Sequence, residues 1–285
     1  MYSNLSPEAV GIRGLSPHEL VELAARRGFG GVDFPAAAMS DADEARRLTD
    51  TLHNHGLRWG LFWLPCDFPT ADDVTMAKGI ARLRELLPIV QAAGCTRTYN
   101  HVWPASDLPY EEQFALSTER LRPVAALLAD YGVSYGLEFI GPKHLRDSRR
   151  HPFIHRLDQA IALADAVGHG AGIVFDFFHA YTSSGTTAGA RTLLANAGGG
   201  SRIVNVHAND APLGRQPSEQ RDGERDMPLA TGVIDAIGLI SVLRELSYDG
   251  PIIVEPFEPQ RSRLGTLPAD AAAKEVHDAL ERLMR

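Results

Sequence analysis

The strongest constraint on this chain is an alternation: eight short apolar, β-rich runs, each followed by a longer stretch of helical periodicity. Alternation of this kind reads as successive βα units around a parallel sheet. The strand-like runs are Ala9 to Arg13, Gly31 to Pro35, Leu57 to Pro65, Cys95 to Val102, Val133 to Ile140, Ala171 to Phe177, Arg202 to Ala208 and Pro251 to Phe257. The helical stretches between and after them carry their own punctuation. Ser16-Pro17-His18-Glu19 supplies an N-cap, a proline at the first helical position and a first-turn acid, and Gly28 stops that helix. Further helices are predicted from Ser40 to His55, Asp72 to Ala93, Tyr110 to Tyr131, Leu157 to Val167, Thr187 to Ala197, Ile234 to Leu246 and Pro268 to Met284. Eight units in strict order, in 285 residues, suit a (β/α)8 TIM barrel, which takes about 250 residues. No Gly-rich phosphate turn follows the first run, which disfavours an open doubly wound sheet. The predicted architecture is α/β, one (β/α)8 barrel domain over residues 1–285.

Charge narrows the partners. A formal net charge of −8, without a dense Lys/Arg cluster, disfavours nucleic acid. The two cysteines, Cys66 and Cys95, are far apart in sequence, so neither a disulfide framework nor a structural zinc site is expected, and a reducing cytoplasmic setting fits. No secretory leader and no apolar run of about 18 residues is read, so no membrane partner is expected.

In a barrel of this kind catalytic groups sit at the C-terminal strand ends. Four ionisable residues interrupt apolar runs there: Glu138 on the fifth strand, Asp176 on the sixth, His207 on the seventh and Glu255 on the eighth. Strand alternation places them on one face with Gly136, Val174, Asn205 and Ile253, and can aim that face inward. A single such acid is most simply a salt-bridged or loop residue, and a single such histidine a satisfied core residue. Four on successive strands at matching depth are different. Three neighbouring carboxylates repel one another, a divalent cation relieves that repulsion, and three oxygens with one imidazole suit Mn²⁺, Mg²⁺, Co²⁺ or Zn²⁺.

The segments Leu137-Glu138-Phe139, Phe175-Asp176-Phe177-Phe178-His179, Val206-His207-Ala208-Asn209-Asp210 and Val254-Glu255-Pro256 resemble the xylose isomerase-like barrel superfamily, which includes sugar isomerases, ketose 3-epimerases and inosose dehydratases. The resemblance runs from the second strand to the eighth. It implies Glu138, Asp176, His207 and Glu255 as ligands of one divalent ion, Mn²⁺ first among those named, and a homodimer or tetramer. It also implies His179 and Arg225 as substrate-binding residues, although Pro228-Leu-Ala-Thr-Gly232 departs from the Pro-Gly-x-Gly usual after that arginine.

The chemistry expected of such a site is proton transfer beside a carbonyl. A hydroxy-ketone chelated by the ion is polarised toward an enediolate, with Glu138 and Glu255 removing and returning the proton. The expected activity is therefore a metal-dependent isomerase or epimerase of a keto-sugar or related polyol. The alternative is a C–O lyase acting on an inosose or a 3-keto-glycoside. Further candidates for substrate contact are His101, Trp63 with its neighbours Phe62 and Trp103, and His144, an extra base or a solvated loop residue. Asp210 reads either as a partner of His207 or substrate, or as an Asx turn, and Arg215 to Asp226 as a lid or a solvated loop. An apurinic endonuclease on the same barrel is disfavoured because Glu224-Arg-Asp-Met-Pro228 lacks the histidine its zinc cluster needs. A non-catalytic sugar-binding barrel has no need of the clustered acids.

Overall fold

A computed structural model describes residues 1–285. Eight parallel strands form the barrel: β1 (Tyr2–Leu5), β2 (Gly31–Val32), β3 (Arg58–Trp59), β4 (Arg97–Val102), β5 (Ser134–Phe139), β6 (Gly172–Asp176), β7 (Ile203–Ala208) and β8 (Pro251–Val254). The hydrogen-bonded order is β3-β2-β1-β8-β7-β6-β5-β4. Its two edges meet where Phe62 N donates to the Arg97 carbonyl at 3.1 Å and Thr98 Oγ1 to the Phe62 carbonyl at 2.7 Å. The chain therefore forms the (β/α)8 TIM barrel expected of it.

The main helices follow the sequence pattern: α1 (Pro17–Arg27), α2 (Ala42–Asn54), α3 (Asp73–Ala92) and α4 (Tyr110–Asp130) precede β5. The short α5 (Lys143–Arg146) and α6 (Leu157–Val167) follow it. Then come α7 (Phe177–Thr182), α8 (Thr187–Asn196), α9 (Ala236–Glu245), α10 (Gln260–Gly265) and α11 (Ala269–Met284). The α1 start is a full capping box, with Ser16 and Glu19 each bonding the other's backbone N–H, and Gly28 ends it at φ +80°. The helices bury Leu, Val and Ala against the outer faces of the strands, making one core around the barrel.

Two expectations are corrected. The first strand is Tyr2–Leu5, not Ala9 to Arg13, which forms a turn with Gly11 at φ +75°. Val10 and Ile12 are buried, but as loop residues, and Ser3 and Asn4 broke the apolar pattern of the true strand because they too are buried inside the structure. The second correction is length. The runs read as β2, β3 and β8 leave the ladder after Val32, Trp59 and Val254, and their remaining residues form the irregular mouth.

The β1–β3 side carries a polar network not anticipated from sequence. Asn4 Nδ2 donates to Asp33 Oδ1 at 2.7 Å, and Leu61 N donates to the same oxygen at 3.2 Å. Asn4 Oδ1 and Asp33 Oδ2 lack partners. Gly60 makes room, since a Cβ there would collide with both side chains. Burial pushes the Asp33 carboxyl from an ordinary 3.8 up to about 6, against the lowering effect of its hydrogen bonds. The folded state thus keeps a proton that the unfolded chain releases. Stability from this group is complete below about pH 4 and is lost as pH rises to about 6, a loss on the order of 3 kcal/mol. Asp33→Asn should remove that loss, so its urea midpoint should exceed the parent's at pH 8 and converge with it near pH 4. A parent midpoint that stays flat between pH 4 and 7 would show that Asp33 is not a proton-holding group.

Candidate metal centre

The C-terminal ends of β5 to β8 bring four side chains together. Glu138 and Asp176 lie within β5 and β6, His207 within β7, and Glu255 one residue past β8. The register aligns Asp176 with His207, and Glu138 with His101 on β4. One donor atom from each of Glu138, Asp176, His207 and Glu255 lies within 4.8 Å of all the others. His207 Nδ1 is central: 3.1 Å from Glu138 Oε1, 3.3 Å from Glu255 Oε2 and 3.6 Å from Asp176 Oδ2. Glu138, Asp176 and His207 are buried and Glu255 is partly exposed toward the mouth.

The Asp-x-x-His spacing has a local cause. Strand β6 ends at Asp176 and α7 begins at the next residue, so Asp176 is both strand end and N-cap. Its Oδ1 accepts from His179 N at 2.9 Å, leaving Oδ2 for the site. Gly141, in the loop after β5, permits this packing, because a Cβ there would strike the His179 carbonyl and the Thr182 hydroxyl.

Charge balance explains how the acids coexist. Each carboxylate pair at ~4–5 Å costs about 4 kcal/mol at an effective dielectric of 20, so three pairs approach the whole stability of a typical domain. Two cations offset this. The Arg225 guanidinium is buried and places Nη1 2.9 Å from Asp176 Oδ2 and 2.6 Å from Glu255 Oε2. Its Nη2 lies 2.7 Å from Asp222 Oδ1 and 3.2 Å from His179 Nε2, and its Nε donates to the Asp222 carbonyl at 3.2 Å. Every N–H of the fork is engaged. Phe178 and Phe257 flank the group, with ring centroids 4.9 and 4.5 Å from its central carbon.

The second cation is the His207 imidazole. Burial opposes its protonation, yet Glu255 and Glu138 raise its pKa well above the ordinary histidine value. The carboxyls respond in turn. Burial would raise both carboxyls, but Arg225 and His179 hold Asp176 well below the usual range, and His207 and His101 hold Glu138 down to about 2.

This donor set fits a divalent cation. The Glu138 oxygens and His207 Nδ1 are buried and make no well-aligned hydrogen bond; their near neighbours are the histidines and carboxylates of the cluster itself. Three oxygens and one imidazole nitrogen are the ligand types expected of such an ion. Asn209 Nδ2 steadies the set by donating to Asp176 Oδ2 at 3.1 Å.

The remaining candidates divide. His179 is buried beside the cluster, its Nε2 3.8 Å from Glu138 Oε1. His101 is half-exposed, with Nε2 3.2 Å from Glu138 Oε2, and Trp63 packs 5.7 Å from the Tyr99 ring inside the barrel. Two others are engaged by neighbouring segments. Asp210 spends both oxygens on backbone N–H groups of Ala211, Thr231, Gly232 and Ile234, so it organises the loop after β7. His144 lies on α5 against the segment around Gln220 and Arg221; burial and Arg221 lower its pKa. The 215–226 segment is fastened rather than free, through the Asp210–Asp226 backbone bridge and the buried Gln220, whose Nε2 donates to the Pro212 carbonyl. Asp222 and Asn209 were missed, because a loop acid and an amide show no periodic signal until Arg225 and Asp176 are seen to need them.

Fold and donor set together define a (β/α)8 barrel with a carboxylate–histidine centre at its C-terminal mouth. The family described as xylose isomerase-like TIM barrel matches residues 21–283, and the chain belongs to it. An inosose isomerase of Bacillus velezensis is 28% identical over 176 residues, which is 60% of this chain and 56% of that relative. The match therefore spans just over half the length of that curated relative. The IolI protein, solved with a bound zinc atom, superposes with a TM-score of 0.80 at 18% identity, covering 100% of this chain and 98% of that one. D-psicose 3-epimerase from Clostridium cellulolyticum H10 gives a TM-score of 0.73 at 16% identity, covering 99% and 98%. At such identities the structural likeness is one of fold.

Arg225→Met should destabilise the metal-free protein by about 3–5 kcal/mol, because two buried carboxylates lose a shared cation. Saturating Mn²⁺ should restore part of the lost melting temperature by binding the folded state. A melting temperature unchanged by the substitution in chelator-treated protein would show that Arg225 does not carry this charge.

Proposed function

We propose that the chain is a divalent-metal-dependent isomerase or epimerase of a keto-sugar or related polyol. The observation that carries this reading is the convergence of Glu138, Asp176, His207 and Glu255, with both Glu138 oxygens and His207 Nδ1 buried and making no well-aligned hydrogen bond. Those four residues would hold the ion, which when bound supplies Lewis acidity toward a carbonyl and its neighbouring hydroxyl. The other parts belong to the protein. Glu138 on β5 and Glu255 beyond β8 bracket the cluster, with β6 and β7 between them. One accepts the proton from the carbon next to the carbonyl and the other returns it. Return to the same carbon from the opposite face gives an epimer, and return to the neighbouring carbon gives an isomer.

The surroundings favour a neutral, hydroxylated substrate. Arg225 has no N–H to spare, so its role is to hold Asp176 and Glu255 in place rather than to bind an anion. His101 and Trp63 at the mouth offer a hydrogen-bonding edge and an apolar ring face, the pairing that suits sugar hydroxyls and C–H surfaces. The Bacillus velezensis relative named an inosose isomerase supports the same class. Mn²⁺ is the ion we favour, with Zn²⁺ supported by the IolI neighbour, and the two free cysteines agree with a cytoplasmic setting.

A second reading is a C–O lyase. It draws on His101, half-exposed and 3.2 Å from Glu138, as a group able to protonate a departing hydroxyl. One experiment separates the two: keto-sugars and inososes are incubated with Mn²⁺ in D₂O and followed by NMR. Deuterium entry without loss of water supports the isomerase, whereas an unsaturated product supports the lyase. Glu255→Gln should lower exchange by at least about 100-fold, the lower range of a general-base contribution, and a chelator should abolish it. Undiminished exchange in Glu255→Gln would remove Glu255 from the mechanism.

A further inference from the structure

A histidine ligand works only if the ligating nitrogen is bare, and that is decided at the other end of the ring. His207 turns Nδ1 toward the three carboxylates. Its Nε2 points back into the barrel, where water does not reach: His207 and Asn205 are both fully buried. The Asn205 amide turns its Nδ2 end to Nε2 at 3.0 Å, with Oδ1 on the far side. It comes from the same strand two residues earlier, so alternation puts both side chains on one face. The outer atom of that amide has no hydrogen-bond partner. The Tyr99 ring meets the imidazole edge-on, 5.3 Å between centroids, and limits its tilt.

We propose that Asn205 is a positioning residue that keeps the proton of His207 on Nε2 and so leaves Nδ1 free to bind the metal ion; this rests on the metal-centre reading above. A carboxamide can present either end to the ring by a half-turn about its last bond. With Nδ2 inward it would donate to Nε2, drive the ring proton to Nδ1 and block coordination. With Oδ1 inward, a half-turn from the orientation seen here, it accepts from Nε2–H, the arrangement that metal binding through Nδ1 requires. No other side chain hydrogen-bonds to Nε2, so an apolar residue at 205 leaves a buried N–H unsatisfied and the ring free to take the other tautomer.

Two variants of nearly the same size distinguish this role from packing. Asn205→Leu fills the space without an acceptor, and Asn205→Asp supplies an acceptor alone. Mn²⁺ and Zn²⁺ affinities would be measured by competition with a chromophoric chelator, with circular dichroism as the check on folding. Asn205→Leu should bind both ions about 10–100-fold more weakly, the usual cost of losing such a partner, and Asn205→Asp should stay within a few-fold of the parent. In the Zn²⁺-loaded parent, ¹⁵N-histidine NMR should show a slowly exchanging Nε2–H for His207, a readout that holds even if Asn205→Leu does not fold. Parent-like affinity in Asn205→Leu, an Asn205→Asp as weak as the leucine variant, or an Nδ1–H in the loaded parent would each overturn the role of Asn205 while leaving the metal centre standing. A parent that binds neither ion would instead remove the metal centre, and this role with it.

Discussion

Three carboxylates and an imidazole buried at one point dominate the energetics of this barrel. In isolation the acids would repel one another by an amount comparable with the stability of a domain. Much of the surrounding architecture answers that problem. Arg225 bridges Asp176 and Glu255, His207 stands among all three acids, and Asn209 donates to Asp176. The loop after β7 is folded to deliver the arginine: Asp210 gathers four backbone N–H groups, and its backbone pairs with Asp226, next to Arg225. A loop that reads as charged and solvent-facing is in this respect part of the interior.

Much of the fold was legible because its signal is local and repeated. Strand runs interrupted by glycine stops and capped helix starts recover seven of the eight strands and the order of the main helices. The exception, β1, shows the limit. Its buried residues include Ser3 and Asn4, so the hydrophobic period that marks a strand is absent, while the apolar Val10 and Ile12 nearby imitate one. Asn4 is polar because it serves Asp33, a tertiary fact without trace in spacing. Three short helices, α5, α7 and α10, lie outside the predicted set, and α7 was hidden for a related reason. Phe177 to Thr182 is too short for a helical period to emerge, and the only clue is Asp176 three residues before His179, a cap and the residue it caps.

At the site, ionisable residues that interrupt apolar strands were visible, and their convergence follows from the barrel. The residues serving them were not. Asn205, Asn209 and Asp222 are ordinary polar residues in sequence, and their value depends on which atom of a neighbour needs a partner. Asp210 and His144 illustrate the reverse. Each is chemically able to act on a substrate, but backbone geometry consumes the first and a neighbouring segment faces the second. Sequence proposes a chemistry for each side chain; hydrogen-bond accounting decides whether it has capacity left.

The guanidinium held between Phe178 and Phe257 has a consequence for how such a protein lives with fluctuating supplies of ions. A permanent positive charge inside the cluster offsets part of the carboxylate repulsion before any dissolved cation binds. The polypeptide is thus its own partial counter-ion, and an ion that enters adds to a stability already begun rather than supplying all of it.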